Sequence, residues 1–402
     1  MNTNKQLIDT LMLRWKGQEN ALLQYVDSKF PLLKQKKNVQ LTFGYFKKSY
    51  EVYNQIGCGN YGVVRHCVRK QDKHHFSAKF VNKDKLDVDE LTGILEELFV
   101  LRSLPKHPNI MCLYDVFESK STIIFILSLL RGGEMLDRIY FHRNKPDFGE
   151  KQAAHIFKQV LSALQFMHER GMVHRDIKAE HVMFERQSKE YGTVCIIDFG
   201  LAVQLREATN SNICRKPQVM NTNSASGTES STPITASPNT TLTPASEVST
   251  AGGTEIVAFG GTNSCKERSW LSINEFAGTP EYMAPEIYCN YKFNQCIDMW
   301  SSGCVLYALL CGIIPFRFDS KRNFQNLEQS IVHPDWNKLI DENNFWKQNI
   351  SESAKDLIKG LLNPKMKDRL TAKAALQHPW FAQAEISNQK CPNLIMINSI
   401  SS

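Results

Sequence analysis

The chain has 402 residues, 42% hydrophobic and 22% charged, with a formal net charge of +7. That is the make-up of a globular protein long enough for two or three domains. The basic residues are scattered, which argues for no nucleic-acid partner, and the apolar runs are too short to span a bilayer. Eleven cysteines, an odd number with no C-x-x-C pair, speak against a disulfide framework or a zinc site. They favour reduced thiols in a cytoplasmic protein, and the first residues lack the layout of a signal peptide.

In chain order, residues 1–49 form an N-terminal extension. Within it Leu7, Ile8, Leu11, Met12, Trp15, Leu22, Leu23 and Val26 have the spacing of an amphipathic helix suited to docking on the main domain or on a partner. From residue 50 to about 85, short β-branched and aromatic runs interrupted by a glycine cluster and by Lys70-Gln71-Asp72-Lys73 predict antiparallel strands. Residues 89–104 read as a helix, and 112–118 and 123–129 as two further strands. After Gly132-Gly133 the pattern is mainly helical to Phe381, and 382–402 form a tail. Residues 222–254 hold 16 Ser or Thr and no Lys, Arg or aromatic residue. Such a stretch cannot bury enough apolar surface to offset its ordering entropy and is expected to be disordered. Its Ser/Thr-Pro pairs at Thr232, Ser237 and Thr243 suit phosphorylation and are also ordinary in low-complexity sequence.

The glycine cluster is Ile56-Gly57-Cys58-Gly59-Asn60-Tyr61-Gly62-Val63-Val64, with Lys79 arriving 17 residues after Gly62. A strand-loop-strand cradle of this kind brings backbone N–H groups to phosphate oxygens, and glycine permits the close approach. Downstream stand His174-Arg175-Asp176-Ile177-Lys178-Ala179-Glu180-His181, then Asp198-Phe199-Gly200, Gly278-Thr279-Pro280-Glu281-Tyr282 and Ala284-Pro285-Glu286. The Asp198 carboxylate is a hard oxygen ligand suited to Mg²⁺. Spaced 22 residues apart with strand-like sequence between them, Asp176 and Asp198 can reach one cleft.

This ordered series over residues 50–381 resembles the eukaryotic protein kinases. Gly132-Gly133-Glu134-Met135-Leu136-Asp137-Arg138-Ile139, the run from Ile350 to Ile358, and Leu376-Gln377-His378-Pro379-Trp380 are similar to the calcium/calmodulin-dependent kinase group. The resemblance implies an α+β, bilobal fold: an N-lobe (50–130) of five antiparallel strands and one helix, and a mainly helical C-lobe (131–381) carrying an insertion at about 205–270. It implies an ATP-dependent Ser/Thr kinase using Mg²⁺ or Mn²⁺. In that reading Gly57, Gly59 and Gly62 cover the phosphates and Lys79 contacts them. Glu97 pairs with Lys79, fitting better than Glu96 because Leu101 then faces the core. Ile56, Val64, Ala78 and Met183 surround adenine; Leu127 is the gatekeeper, and Ser128, Leu129 and Leu130 form the hinge. Asp176 accepts the substrate proton, Lys178 neutralises the transferring phosphate, and Thr279 steadies both. Asp198 and His181 hold metal, Arg369 pairs with Glu286, and Asp298 braces the catalytic loop. Glu134 and Glu180 sit where ATP ribose or a substrate arginine is contacted, implying protein substrates with a basic residue upstream of Ser/Thr. Neither an EF-hand loop nor a basic calmodulin-binding tail is visible.

Two positions depart from the pattern. His181 replaces the catalytic-loop Asn, and imidazole suits Mn²⁺ or Zn²⁺ better than Mg²⁺. This implies a kinase with weakened or altered metal dependence; the alternative is an impaired pseudokinase acting as a nucleotide-binding scaffold. Glu275, three residues before Gly278, takes the place of an activating phosphothreonine and can pair with Arg175 or stand as an exposed loop Glu.

Overall fold

A computed structural model describes residues 40–41, 46–59, 62–137, 148–187, 191–205, 276–289, 291, 293–317, 324–334 and 350–386. The expected N-terminal helix at 5–27, the Ser/Thr-rich stretch 222–254 and Glu275 lie outside them.

The first lobe is built on one sheet. Its strands are β1 (Gln40–Leu41), β2 (Tyr50–Gly59), β3 (Gly62–Arg69), β4 (His75–Asn82), β5 (Leu113–Glu118) and β6 (Thr122–Ser128), in the spatial order β1-β5-β6-β4-β3-β2. Strands β2 to β6 pair antiparallel, as the sequence suggests. The sixth, β1, comes from the N-terminal extension and joins β5 in parallel at only two positions. The β3–β4 turn is set by Lys73, whose φ is 59°, and by Arg69, whose guanidinium grips Asp72 at 2.6 Å.

Side chains alternate between the two faces of this sheet. Phe76 and Ala78 face outward into a cluster with Tyr50, Cys67, Phe117 and Ile126, with Phe80 packed against it. A short helix, α1 (Phe46–Ser49), brings Phe46 over this cluster, 5.6 Å from the Tyr50 ring. The opposite face, carrying Ser77 and Lys79, is left for helix α2 (Val88–Ser103) and the cleft. Helix α2 begins at a reciprocal cap: Glu90 N–H donates to Asp87 at 2.8 Å and Asp87 N–H donates to Glu90 at 2.9 Å. Its buried stripe is Leu91, Ile94, Leu98 and Leu101, the 3–4 spacing of one helix face. Glu97 lies on that face and is 1% exposed.

The second lobe is helical. Its main elements are α3 (Glu150–His168), α4 (Pro285–Tyr288), α5 (Cys296–Cys311), α6 (Phe324–Val332), α7 (Glu352–Leu361), α8 (Ala372–Leu376) and α9 (Trp380–Ile386). It also holds two antiparallel ribbons, β7 (Met172–Val173) with β10 (Val203–Gln204) and β8 (Val182–Phe184) with β9 (Val194–Ile196). Helix α5 is predominantly apolar and is buried along its length from Ile297 to Cys311. It ends at Gly312, whose φ of 75° lets its N–H cap Ala308 O at 2.7 Å. The buried Glu150 carboxylate fastens α3 to α7 and α9 by accepting from Ser351 N and Oγ (2.6 and 2.8 Å) and from Trp380 Nε1 (2.8 Å). No helix among the described residues is long and apolar enough to cross a membrane.

Candidate active site

The glycine cluster is the end of the β2–β3 hairpin, with Gly57 opposite Val64, Cys58 opposite Val63 and Gly59 opposite Gly62. Gly62 is the position that only glycine can fill: a Cβ there would lie 1.7 Å from Phe80 O. At Gly57 the same atom would make an ordinary 3.7 Å contact with Val64. Beneath the hairpin, Lys79 Nζ donates to both oxygens of Glu97, at 2.7 and 2.8 Å. Of the two adjacent carboxylates, Glu97 is the one that turns inward, because it shares the buried stripe of α2; Glu96 is exposed.

The strand register places Val64 beside Lys79 and Leu127 beside Ser77 on the cleft face. Ala78 is a correction. It is next to Lys79 in the strand, so its side chain points to the other face, fully buried in the outer aromatic cluster. Ser77, missed by the sequence reading, takes the cleft-facing place and donates to Ser128 O at 2.9 Å. The period-2 rule applied to Lys79 was the signal for it. Ile56 remains 45% exposed at the roof. Leu127 is buried at the back and Leu129 half-buried after it. Met183, on β8, forms a bridge with Glu134 across the floor.

The catalytic-loop backbone is anchored from below. Asp298, 1% exposed near the start of α5, accepts from the N–H groups of His174 and Arg175, each at 2.9 Å. His168 completes its shell at 2.9 Å; this second histidine was not anticipated, since it is 130 residues away in sequence. Burial opposes charge on Asp298, but the His168 hydrogen bond and charge and the His174 N–H hold its pKa below the usual range. Two non-glycine residues sit in the left-handed region here, Arg175 (φ 67°) and Asp198 (φ 59°), a strain found where surrounding contacts over-determine the backbone. His174 has a fixed tautomer: Nε2–H donates to Ile197 O at 3.1 Å, and Nδ1 accepts from Asp176 N at 3.3 Å. Its ring packs on the buried Phe199, centroids 5.0 Å apart.

Asp176 is held by residues remote in sequence. Thr279 donates to Oδ1 through N (2.9 Å) and Oγ1 (2.6 Å), and Lys178 Nζ donates to Oδ2 at 3.0 Å and to Thr279 Oγ1 at 2.9 Å. Burial pushes the Asp176 pKa up, but the Thr279 and Lys178 hydrogen bonds and the Lys178 charge outweigh it and leave the pKa lowered. Gly278 makes the close approach possible; its φ is 125°, and a Cβ would meet Arg175 O at 2.7 Å.

His181 bridges the two carboxylates. Since a carbonyl can only accept, His181 Nδ1–H donates to Asp176 O at 2.9 Å, which turns Nε2 toward Asp198 Oδ2 at 3.4 Å. A backbone carbonyl on one ring nitrogen is the arrangement that orients a metal-ligating histidine through the other. Asp198 is half exposed and offers oxygen donors. Donors 3.4 Å apart can share one divalent cation, whose bonds to O and N are about 2.0–2.2 Å, so the pair fits a single metal ion. Among the described residues no group of three or more His, Cys, Asp or Glu is arranged to hold one; the remaining ligands of such an ion would be phosphate oxygens and water.

Beside Thr279 lies a cavity of about 420 Å³ bordered by Leu136, Glu180, Tyr282, Ile314 and Arg317. Glu134, Asp137 and Glu180 make this side acidic: burial first, then the charges of Asp137 and Glu180, raise the Glu134 pKa. Farther down, Arg369 forms a two-pronged pair with Glu286 at 2.6 and 2.8 Å.

The protein kinase domain model matches residues 50–230 and 248–381. Calcium-dependent protein kinase 24 of Arabidopsis thaliana is 28% identical over 347 residues, 86% of this chain and 46% of that protein. Serine/threonine-protein kinase 17A of Oryctolagus cuniculus is 30% identical over 335 residues, 83% of this chain and 66% of that protein. A probable myosin light chain kinase of Dictyostelium discoideum is 28% identical over 338 residues, 83% and 67% of the two chains. The chain spans about half the length of the plant kinases it matches. With the cleft assembled as described and the family model matching from β2 to α9, the chain belongs to the protein kinase family.

Proposed function

We propose that the protein is an ATP-dependent Ser/Thr protein kinase whose metal site is altered by His181. The observation that carries this reading is the assembly of Lys79–Glu97, Asp176–Lys178–Thr279 and Asp198 around one cleft. Lys79, oriented by Glu97, binds the α and β phosphates of ATP. Asp176, ionised at neutral pH, accepts the proton of the attacking Ser/Thr hydroxyl as its oxygen bonds to the γ-phosphorus and ADP departs. Lys178 offsets the negative charge of the transferring group. A divalent cation bound at Asp198 and His181 would neutralise phosphate charge. The imidazole nitrogen shifts the preference of that site from Mg²⁺ toward Mn²⁺. The acidic patch of Glu134, Asp137 and Glu180 favours substrates with a basic residue upstream of the phosphoacceptor. Glu275 stands in the sequence where an activating phosphothreonine is carried in the family, so Glu275→Ala is expected to lower activity.

The test is phosphate transfer to an arginine-containing Ser peptide in Mg²⁺ and in Mn²⁺, with Asp176→Asn as blank. Transfer above the blank, faster in Mn²⁺, is expected, and His181→Asn should raise the Mg²⁺ rate. Wild-type transfer no higher than the blank in either metal would leave the scaffold reading instead.

A further inference from the structure

Toward the hinge, on the same face of the sheet as Ser77 and Lys79, stands a cluster of hydrogen-bond donors separate from the Lys79–Glu97, Asp176 and Asp198 groups. His66 on β3 and His75 on β4 meet at 2.8 Å through Nε2 and Nδ1, their ring planes 4° apart. Arg131, just beyond the hinge, brings one terminal guanidinium nitrogen to 3.2 Å from His75 Nδ1 and 3.5 Å from His66 Nε2. Arg131 also spans the lobes. Its own N–H donates to Glu185 O and the next N–H, of Gly132, donates to Phe184 O, so the backbone belongs to the C-lobe while the side chain reaches the N-lobe sheet.

The inventory of donors and acceptors is unbalanced. A guanidinium only donates, and two neutral imidazoles meeting nitrogen to nitrogen share one proton and one lone pair. That lone pair is sought by both the partner imidazole and Arg131. Protonating the ring that supplies the lone pair leaves donors alone. The groups facing the pair from neighbouring elements are Arg131 and, on β2, Tyr53, whose ring is 5.2 Å from that of His66 and whose hydroxyl meets Glu51. Among the described residues no carboxylate forms an ion pair with His66, His75 or Arg131. Burial first, and then the nearby His75 and Arg131 charges, lower the His66 pKa.

A metal ion fits poorly here, since the guanidinium stands where its charge would be. An oxyanion fits well: it supplies several acceptors to converging donors and restores the charge balance, and Arg with paired donors is suited to phosphate. We propose that His66, His75 and Arg131 form a binding site for a phosphate monoester group, bridging the lobes beside the hinge.

The full-length protein, labelled in its histidine rings, would be titrated near pH 6.5 with inorganic phosphate and with a phosphothreonine peptide copied from the sequence around Thr232. The expected result is a saturable shift of the His66 and His75 ring signals together, with His174 and His181 in the cleft unmoved. Arg131→Gln should weaken binding at least about tenfold, the equivalent of 1.4 kcal/mol, and Arg131→Lys should recover part of it. Tighter binding of the peptide would make a phosphorylated side chain the ligand; equal binding would make it free phosphate. A shift confined to the cleft histidines, a shift that never saturates, or one unchanged in both Arg131→Gln and His75→Gln would overturn the proposal. Unaltered thermal unfolding of the variants separates loss of the site from loss of fold.

Discussion

Glu286→Gln is expected to destabilise the C-lobe by about 3–5 kcal/mol, because it removes one partner of a buried ion pair and leaves the other charged. The Arg369 side chain is 0% exposed and that of Glu286 4%. Besides its two bonds to Glu286, Arg369 donates to Cys296 O at 3.0 Å and Asn363 O at 2.9 Å, joining three segments at one point. Gln retains one acceptor oxygen but sets an NH₂ group against the guanidinium and supplies no neutralising charge. Against a total stability of about 5–15 kcal/mol for a typical protein, the loss is large. Trp300 reports on it directly, since its ring lies 5.2 Å from the guanidinium carbon. Urea unfolding followed by Trp fluorescence should show the midpoint falling. In Glu286→Gln/Arg369→Met, where both charges are gone, the loss should be smaller than the sum of the single changes by roughly 2 kcal/mol. A Glu286→Gln protein within about 1 kcal/mol of wild type, or strict additivity in the cycle, would refute the view that this pair ties the lobe together.

Gly62→Ala should weaken binding of a fluorescent nucleotide by at least about tenfold (1.4 kcal/mol), because the β3 backbone must move away from Phe80 O. Gly57→Ala, with room for a methyl group, should change it little; equal effects at both positions would contradict the hairpin geometry. Ser77→Leu is expected to obstruct nucleotide binding with modest loss of stability. Ala78→Leu should instead overpack the outer cluster, costing about 1–3 kcal/mol of stability with little change in nucleotide affinity, and the reverse pattern would undo the face assignment. Asp298 contributes a pH dependence whose sign follows from its depressed folded-state pKa. Its stabilisation is present above the unfolded carboxylate value of about 3.9 and is lost as pH falls through the lower folded value. Stability curves between neutral and strongly acidic pH should therefore differ in shape between wild type and Asp298→Asn, and parallel curves would exclude this carboxylate as a source of acid sensitivity.

Much of this protein was legible from local chemistry. The alternation around Lys79 and the helical stripe that turns Glu97 inward follow from local spacing, while the glycine cluster and the carboxylates at 176 and 198 lie in short motifs whose roles came from the resemblance to the protein kinases. Even the misplaced Ala78 was a failure to apply that spacing, since neighbours in a strand cannot share a face. What spacing could not supply is contact between distant segments. Thr279 lies 103 residues from the Asp176 carboxylate it holds, and His168 lies 130 residues from Asp298. His66 and His75 meet only because the β3–β4 register, which sets His66 opposite Ser77 and Val68 opposite His75, brings them together diagonally, and Arg131 reaches them from the far side of the hinge. The role of His181 divides the same way. Its identity, read in the sequence, raised the question of the metal. Its tautomer, set by the Asp176 carbonyl, and its approach to Asp198 depended on the folded backbone, because a hydrogen bond fixes a ring nitrogen only once both partners are in place.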